Sequence, residues 1–424
     1  LNLLSSRTGR KLLFGALYLS EGAPIGFIWW ALPTRLRVAG VSVEEITALT
    51  SLLVLPWVFK FLWAPLVDTL RSHRWTICSW IITTQVLMGM SLLPLLWLDL
   101  HNNFALVIPL LVLHAFAAAT QDASIDALSI ASVPSDERGA VNGWMQAGML
   151  TGRALFGGGA LLVATTIGEQ GVILLLAAVI WSSMVLVILT KSENKDEINR
   201  GVSVSHRWRD FFLNLGAASK QQTTWLGLLF AFISAAGFEA VGAVAGPYMI
   251  DKGLTQQDVG LFFGVAGVGG MLGGALVGGY ISDKIGRQQL VATFLLLFVV
   301  NIVAIALLDG VMIHETRVGI VLLLSMLYVF IGMFTAASYA LFMDITDPHL
   351  GATQFSAYMG ATNGCESWAA AAVGKLHSAF GYPIAFMVMA VVSLCSLPAL
   401  PRLRERKTGG GRETTEVANP ADIQ

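Results

Sequence analysis

Apolar runs of about 20 residues, long enough to cross a bilayer as helices, recur along the whole chain between short polar breaks. They predict spans near 11–34, 44–67, 75–98, 104–132, 139–164, 170–190, 222–250, 256–281, 288–308, 316–343, 351–373 and 380–400. The breaks are turn-like, as at Val133-Pro134-Ser135-Asp136. The longest polar stretch, 191–220, contains Ser192-Glu193-Asn194-Lys195-Asp196-Glu197 and reads as a linker. It divides an N-terminal half, 1–190, from a C-terminal half, 221–400, each with six spans. Arg207-Trp208-Arg209-Asp210-Phe211 in the linker predict a short interfacial helix. Residues 401–424, Gly-, Thr- and Glu-rich from Thr408, predict a disordered tail.

The halves share features at an offset of 212–215 residues. Asp68 corresponds to Asp283, Pro134 to Pro348 and Gly139 to Gly351. Pro33 and Gly40 correspond to Pro247 and Gly253, and Ser42-x-x-Glu45 to Thr255-x-x-Asp258, both helix-start patterns. The fold class expected is an all-α membrane protein of twelve transmembrane helices in two pseudo-symmetric halves. Such repeats imply alternating access around a site near the midplane between the halves.

Composition agrees: 55% of residues are apolar and 12% charged, against about 25% charged in soluble domains. A net charge of −1 gives no reason to expect nucleic acid as a partner. Cys78, Cys365 and Cys395 all fall in apolar runs, so neither a metal site nor a disulfide framework is expected. Arg7, Arg10 and Lys11 lead directly into the first span, with no cleavable leader in view. With the N-terminus inside, 19 of the 26 Lys and Arg fall on inner segments and 5 on outer ones, so both termini are expected in the cytoplasm.

Ionisable groups within spans are functional candidates. Asp122 and Asp126 are four residues apart and share a helix face. At the helical rise, Asp122 lies about 18 Å from the inner surface and Arg153 about 21 Å, so Arg153 is close enough in depth to pair with Asp122 or Asp126, the alternative to a direct role of these acids in transport. Glu21 lies about 15 Å deep, Glu239 about 25 Å and Glu366 about 22 Å. Five acids and one arginine leave some acids in a wet cavity or protonated, which makes all six candidates for proton coupling. Lys60, about 10 Å deep, reads as snorkelling to the inner surface. Asp344, at a helix end, reads as solvated. Gln121, Trp30, Gln146 and Asn363 are candidates for lining the solute cavity. Phe27, Trp29 and Trp30 read as an interfacial belt, with stacking on a solute ring as the alternative.

Two loops carry a different signal. Gly279-Tyr280-Ile281-Ser282-Asp283-Lys284-Ile285-Gly286-Arg287 follows one apolar run and opens the next. Trp63-Ala64-Pro65-Leu66-Val67-Asp68, closed by Arg71 and Arg74, does the same in the first half without the glycines. An aspartate there is positioned to face the N-terminus of span five or eleven and hold the inner side shut. Asp68, Gly279, Asp283, Gly286 and Arg287 are therefore gating candidates. Gly267-Val268-Gly269-Gly270-Met271-Leu272-Gly273-Gly274 has no preceding strand and reads as helix-packing surface, not a nucleotide loop.

The second loop resembles the signature of the major facilitator superfamily. Phe59-Lys60-Phe61-Leu62-Trp63-Ala64-Pro65-Leu66-Val67-Asp68, Thr120-Gln121-Asp122-Ala123-Ser124-Ile125-Asp126 leading to Asp136-Glu137-Arg138-Gly139, Ala352-Thr353-Gln354-Phe355, and Tyr18-Leu19-Ser20-Glu21-Gly22-Ala23-Pro24-Ile25-Gly26 resemble its AmpG/acetyl-CoA-transporter branch. The resemblance covers about residues 15–400. It implies proton-driven movement of a bulky polar solute, a muropeptide or a siderophore, across a bacterial inner membrane. The chain ends after twelve spans, whereas the muropeptide permeases of the branch are longer. Ala31-Leu32-Pro33-Thr34-Arg35-Leu36-Arg37 is more similar to the siderophore importers. No cofactor is implied beyond the proton gradient, and the partners implied are a small-molecule solute and the lipid bilayer, with the chain acting as a monomer.

An exporter of the same fold, an intramembrane acyltransferase and a non-transporting sensor are the alternatives. The enzyme reading lacks a constellation: His73, His101, His314 and His349 fall in or beside loops, and His114, His206 and His377 are isolated from one another.

Overall fold

The computed structural model describes residues 2–70, 75–98, 103–134, 136–190, 209, 213, 216–282, 284–311, 316–347 and 351–403. Most of the expected linker, its interfacial helix apart from Arg209, and the tail beyond 403 lie outside the described residues. Every regular element among them is helical. This follows from the solvent: in hydrocarbon a helix satisfies its own backbone groups.

The N-terminal half begins with α1 (Arg7–Val38), α2 (Val43–Thr69), α3 (Ile77–Leu96) and α4 (Phe104–Ser132). The C-terminal half begins with α7 (Gln222–Asp251), α8 (Gln256–Ser282), α9 (Arg287–Val311) and α10 (Thr316–Ile345). Each half then has one overlong stretch, Arg138–Leu189 of 52 residues and Gly351–Leu394 of 44. At 1.5 Å per residue these would reach about 78 Å and 66 Å, at least twice the hydrocarbon thickness. Gly168 (φ 72°) breaks the first and Gly381 (φ 78°) the second. The breaks give α5 (138–167), α6 (169–189), α11 (351–380) and α12 (382–394), and bring the long helices among the described residues to twelve.

The repeat expected from the sequence recurs in the backbone. Gly40 and Gly253 both have positive φ and lie 213 residues apart, as do Gly168 and Gly381. Thr255 and Asp258 form a reciprocal cap at the start of α8. Ser42 and Glu45 do the same for α2, with Ser42 N donating to Glu45 Oε2 and Glu45 N to Ser42 Oγ.

An even number of crossings returns the chain to its starting face, called the terminal face below. Within each half, helices approach through small residues. A methyl group at Gly22 would strike the Met149 backbone, and one at Gly148 would strike Gly15, so α1 and α5 lie backbone to backbone. Gly274 and Gly332 do the same for α8 and α10.

The halves meet most closely on the side away from the termini, the far face. Gly158 on α5 packs against Gly260 and Gly264 on α8, and Gly246 on α7 against Thr34 on α1. Gly374 on α11 packs against Thr47 on α2, and Trp30 stacks on Phe263 with centroids 4.9 Å apart. Toward the terminal face, a methyl at Gly139 or Gly143 of α5 would meet nothing within 4 Å. The fold is thus sealed on the far face.

Candidate functional site

Two polar sites lie in the interior. The first is inside the N-terminal half. The Lys60 Nζ donates to Asp122 Oδ2 at 2.5 Å, joining α2 to α4. The Tyr18 hydroxyl donates to Asp126 Oδ1 at 2.6 Å, joining α1 to α4. Glu21, one turn from Tyr18, is buried and its Oε2 has no hydrogen-bond partner among the described residues. It lies within electrostatic reach of Asp122, Asp126, Lys60 and Arg153. Gln121, next to Asp122 in the chain, is fully buried, with neither amide atom hydrogen-bonded among the described residues. Leu13, Phe14, Leu17, Ile81, Ile125 and Leu128 pack as an apolar cluster around the same helices.

These contacts decide one open pairing and correct one expectation. Asp122 pairs with Lys60, not with Arg153, and Lys60 turns inward rather than snorkelling to the surface. Comparable depth on two helices does not fix which way each side chain points.

The second site is a cavity of about 270 Å³ between the halves. Ile25, Gly26, Trp29 and Trp30 line it from α1, Thr50, Val54 and Trp57 from α2, and Arg153 from α5. The other half contributes Phe238, Glu239, Tyr328, Tyr339, Asn363 and Glu366, among others. The Trp29 indole donates to Glu366 Oε1, and Trp29 and Trp57 meet edge to face at 5.6 Å. Asn363 Nδ2 donates to Trp57 O at 3.4 Å. No ion pair within 4.0 Å joins Arg153 to Glu239 or Glu366, and Arg153 Nε has no hydrogen-bond partner among the described residues.

Trp29, Trp30, Arg153, Glu239, Asn363 and Glu366 therefore come together, and Gln121 and Gln146 stand outside this lining. Gln146 is exposed two turns from Arg153 on α5. Trp29 and Trp30 face the interior and Phe27 is buried, so none of the three forms an interfacial belt. No sequence pattern assigns a role to Trp57 or to Tyr18, although Tyr18 stands three residues before Glu21.

The terminal face carries its own network. Arg10 Nη2 donates to Glu137 Oε1 at 2.6 Å, and Arg7 reaches Asp136 at 3.0 Å and Glu137 at 3.2 Å. Hydrogen bonds from Arg10, then Arg7, hold the Glu137 carboxyl below the usual carboxylate range. In the second half Gln221 Nε2 donates to Asp347 Oδ2 at 3.0 Å. Arg287 pairs with Asp344 and donates to Ala340 O at 3.2 Å, so Asp344 is not merely solvated. Asp283 lies outside the described residues, as does the side chain of Asp68. Among the described residues, a β-carbon at Gly279, in the last turn of α8, meets nothing within 4 Å, and one at Gly286 meets only the far end of Gln289.

On the far face the halves are joined by charge. Arg37 Nε donates to Asp251 Oδ1 at 2.7 Å, and the Tyr382 hydroxyl donates to Asp251 Oδ2 at 2.8 Å. The sequence contained Arg37 but no pattern pointing to its partner.

The profile of the Major Facilitator Superfamily matches residues 13–374. The anhydromuropeptide permease of Escherichia coli (strain K12) is 26% identical over 354 residues, covering 82% of this chain and 70% of that protein. An uncharacterized Haemophilus influenzae protein is 26% identical over 384 residues, covering 84% of this chain and 86% of the relative. The crystal structure of the nucleoside transporter NupG superposes with a TM-score of 0.70 at 13% identity, over 95% of this chain and 99% of that one.

Proposed function

The chain belongs to the major facilitator superfamily, and on that premise we propose that this multi-pass transporter imports a bulky polar solute by proton-coupled alternating access. The observation that carries the reading is the polar cavity between the halves, sealed on the far face and lined by Arg153, Glu239 and Glu366. The solute classes are a muropeptide or a siderophore. The Escherichia coli relative, an anhydromuropeptide permease by name, supports the first.

Glu21, Asp122 and Asp126 are the proposed proton carriers, with Lys60 and Tyr18 as partners of the aspartates. Arg153 is within electrostatic reach both of Glu21 and of Glu239, so it is suited to couple the two sites. When Glu21 is protonated, Arg153 is freer to engage the cavity. Asp68 and Asp283, with Gly279, Gly286 and Arg287, are proposed to close the terminal face when the far face opens. The basic-residue bias supports a cytoplasmic terminal face, with residues 191–220 as a cytoplasmic linker; a monomer in a bacterial inner membrane belongs to the same proposal.

The test is uptake by a strain lacking the transporter and complemented with it, using labelled anhydromuropeptide and a labelled ferric siderophore side by side. One of the two should accumulate, and an uncoupler should abolish the accumulation. Asp122→Asn or Asp126→Asn should lose uphill uptake and keep exchange, because the amide mimics a protonated acid. Accumulation that is indifferent to the uncoupler rejects proton coupling. Outward movement rejects import.

A further inference from the structure

We infer that the central cavity is a bipolar site, built for a solute that carries an ammonium-type cation at one point and an anion such as a carboxylate at another. The inference rests on the transport reading above and specifies the chemistry of its cargo. The cation lies at Glu239 and Glu366, and the anion at Arg153.

Arg153 faces the cavity with no ion pair to either glutamate, and its Nε is buried without an acceptor among the described residues. Glu366 receives one hydrogen bond, from the Trp29 indole. Charged groups inside a membrane protein are costly unless they are paired or hydrated. These three stand around one space, so a ligand entering it meets both signs.

The walls match. Trp29 and Trp57 stand edge to face at 5.6 Å, and the indole bond fixes Glu366 beside them. Tyr328, Tyr339 and Phe238 complete an aromatic wall. Carboxylates among ring faces recognise an ammonium both by charge and by cation–π attraction. Arg153 offers a planar fork that suits a carboxylate. A volume of about 270 Å³ holds a group the size of an amino acid, not a whole bulky solute. The site therefore reads the charged tip of its cargo.

The signs also divide by half. Arg153 belongs to the N-terminal half, and Glu239 and Glu366 to the C-terminal half. A solute with both charges bridges the two halves, and one with a single charge engages only one. Bridging favours the conformation in which the halves close on the solute.

The test uses three small probes on the purified full-length protein, with binding read by tryptophan fluorescence and calorimetry. The probes are alanyl-alanine, with both charges, acetyl-alanyl-alanine, anionic only, and alanyl-alanine amide, cationic only. The wild type should bind the doubly charged probe at least about tenfold more tightly than either other. Glu239→Gln and Glu366→Gln should erase the advantage over the acetylated probe. Arg153→Gln should erase the advantage over the amide, and Arg153→Lys should restore part of it. Equal affinity for all three probes, or no binding of alanyl-alanine at all, overturns the inference. So does a glutamine variant that keeps the charge preference and loses only proton-driven uptake, since the glutamates would then be proton carriers. Uptake of labelled cargo in vesicles separates the two readings. Transport without the charge pattern sinks the bipolar site alone, and the charge pattern without transport sinks the transport reading alone.

Discussion

Arg37 and Asp251 lie 214 residues apart in sequence and 2.7 Å apart in space, and they tie the far ends of α1 and α7 together. Both side chains are about one quarter exposed, and Tyr382 from α12 holds the second carboxylate oxygen. Such an inter-half contact exists in the far-closed conformation and must break for the far face to open. Asp251→Asn should therefore shift the population toward the far-open state. A contact of this kind is worth about 1–3 kcal/mol of coupling, enough for a several-fold change in conformer ratio. A cysteine at Ser367, in a background lacking the three native cysteines, should react faster with an impermeant thiol reagent from the far side. An unchanged rate would mean that the glycine contacts alone hold this face.

Lys60 and Asp122 make a second testable pair. Removing one partner of a shielded ion pair leaves an uncompensated charge and typically costs about 3–5 kcal/mol. Lys60→Met should sharply lower thermal stability and yield in detergent. The double variant Lys60→Met/Asp122→Asn should recover much of the loss, because both charges are gone. If the double variant is as unstable as the single, the ion pair is not what Lys60 contributes.

This pair also marks the limit of what the sequence discloses. Helix positions were legible because hydrocarbon imposes a length and a composition on each crossing, and the repeat was legible because turns need particular residues. Gly40 and Gly253 show this: both were matched from sequence and both adopt positive φ. Partners across helices were not legible. Asp122 and Arg153 have similar depth, yet Asp122 points to α2 and Arg153 to the cavity. Depth comes from counting residues along one helix, whereas azimuth depends on packing between helices. The same limit hid Trp57 and the partner of Arg37.

Glu137 predicts a pH dependence of stability. Its carboxyl is held below the usual range by Arg10 and then Arg7. A depressed folded value means that the stabilisation is fully present above the ordinary glutamate value of about 4.3. It is lost as pH falls through the lower folded value. Glu137→Gln should therefore lower Tm at neutral pH, by an amount nearly constant between about pH 5.5 and 7.5. The difference from wild type should shrink below about pH 4. A gap that stays the same at the lowest pH tolerated would assign the effect to packing, not to charge.

Gly158 offers a steric test of the same closure that Arg37 serves electrostatically. It lies at the crossing of α5 and α8, where any β-carbon would collide with the backbone of Gly260 and Gly264. Backbone does not yield as the end of a long side chain does, so Gly158→Val cannot be accommodated with the halves closed here. The collision is between halves rather than within one. Each half should therefore still fold, and the conformer ratio should move instead. The variant should reach the membrane at near wild-type abundance, expose the far-side cysteine at Ser367 and lose transport. Combined with Asp251→Asn, it should add little further labelling, since both changes release one closure. Gly143→Val on the same helix is the control: a β-carbon there meets nothing within 4 Å among the described residues, so labelling at Ser367 should not rise. If Gly158→Val leaves labelling and transport as in wild type, the close approach of α5 and α8 is not required for closing the far face. If it removes the protein from the membrane altogether, the contact serves assembly, and the assignment to alternating access fails for this residue.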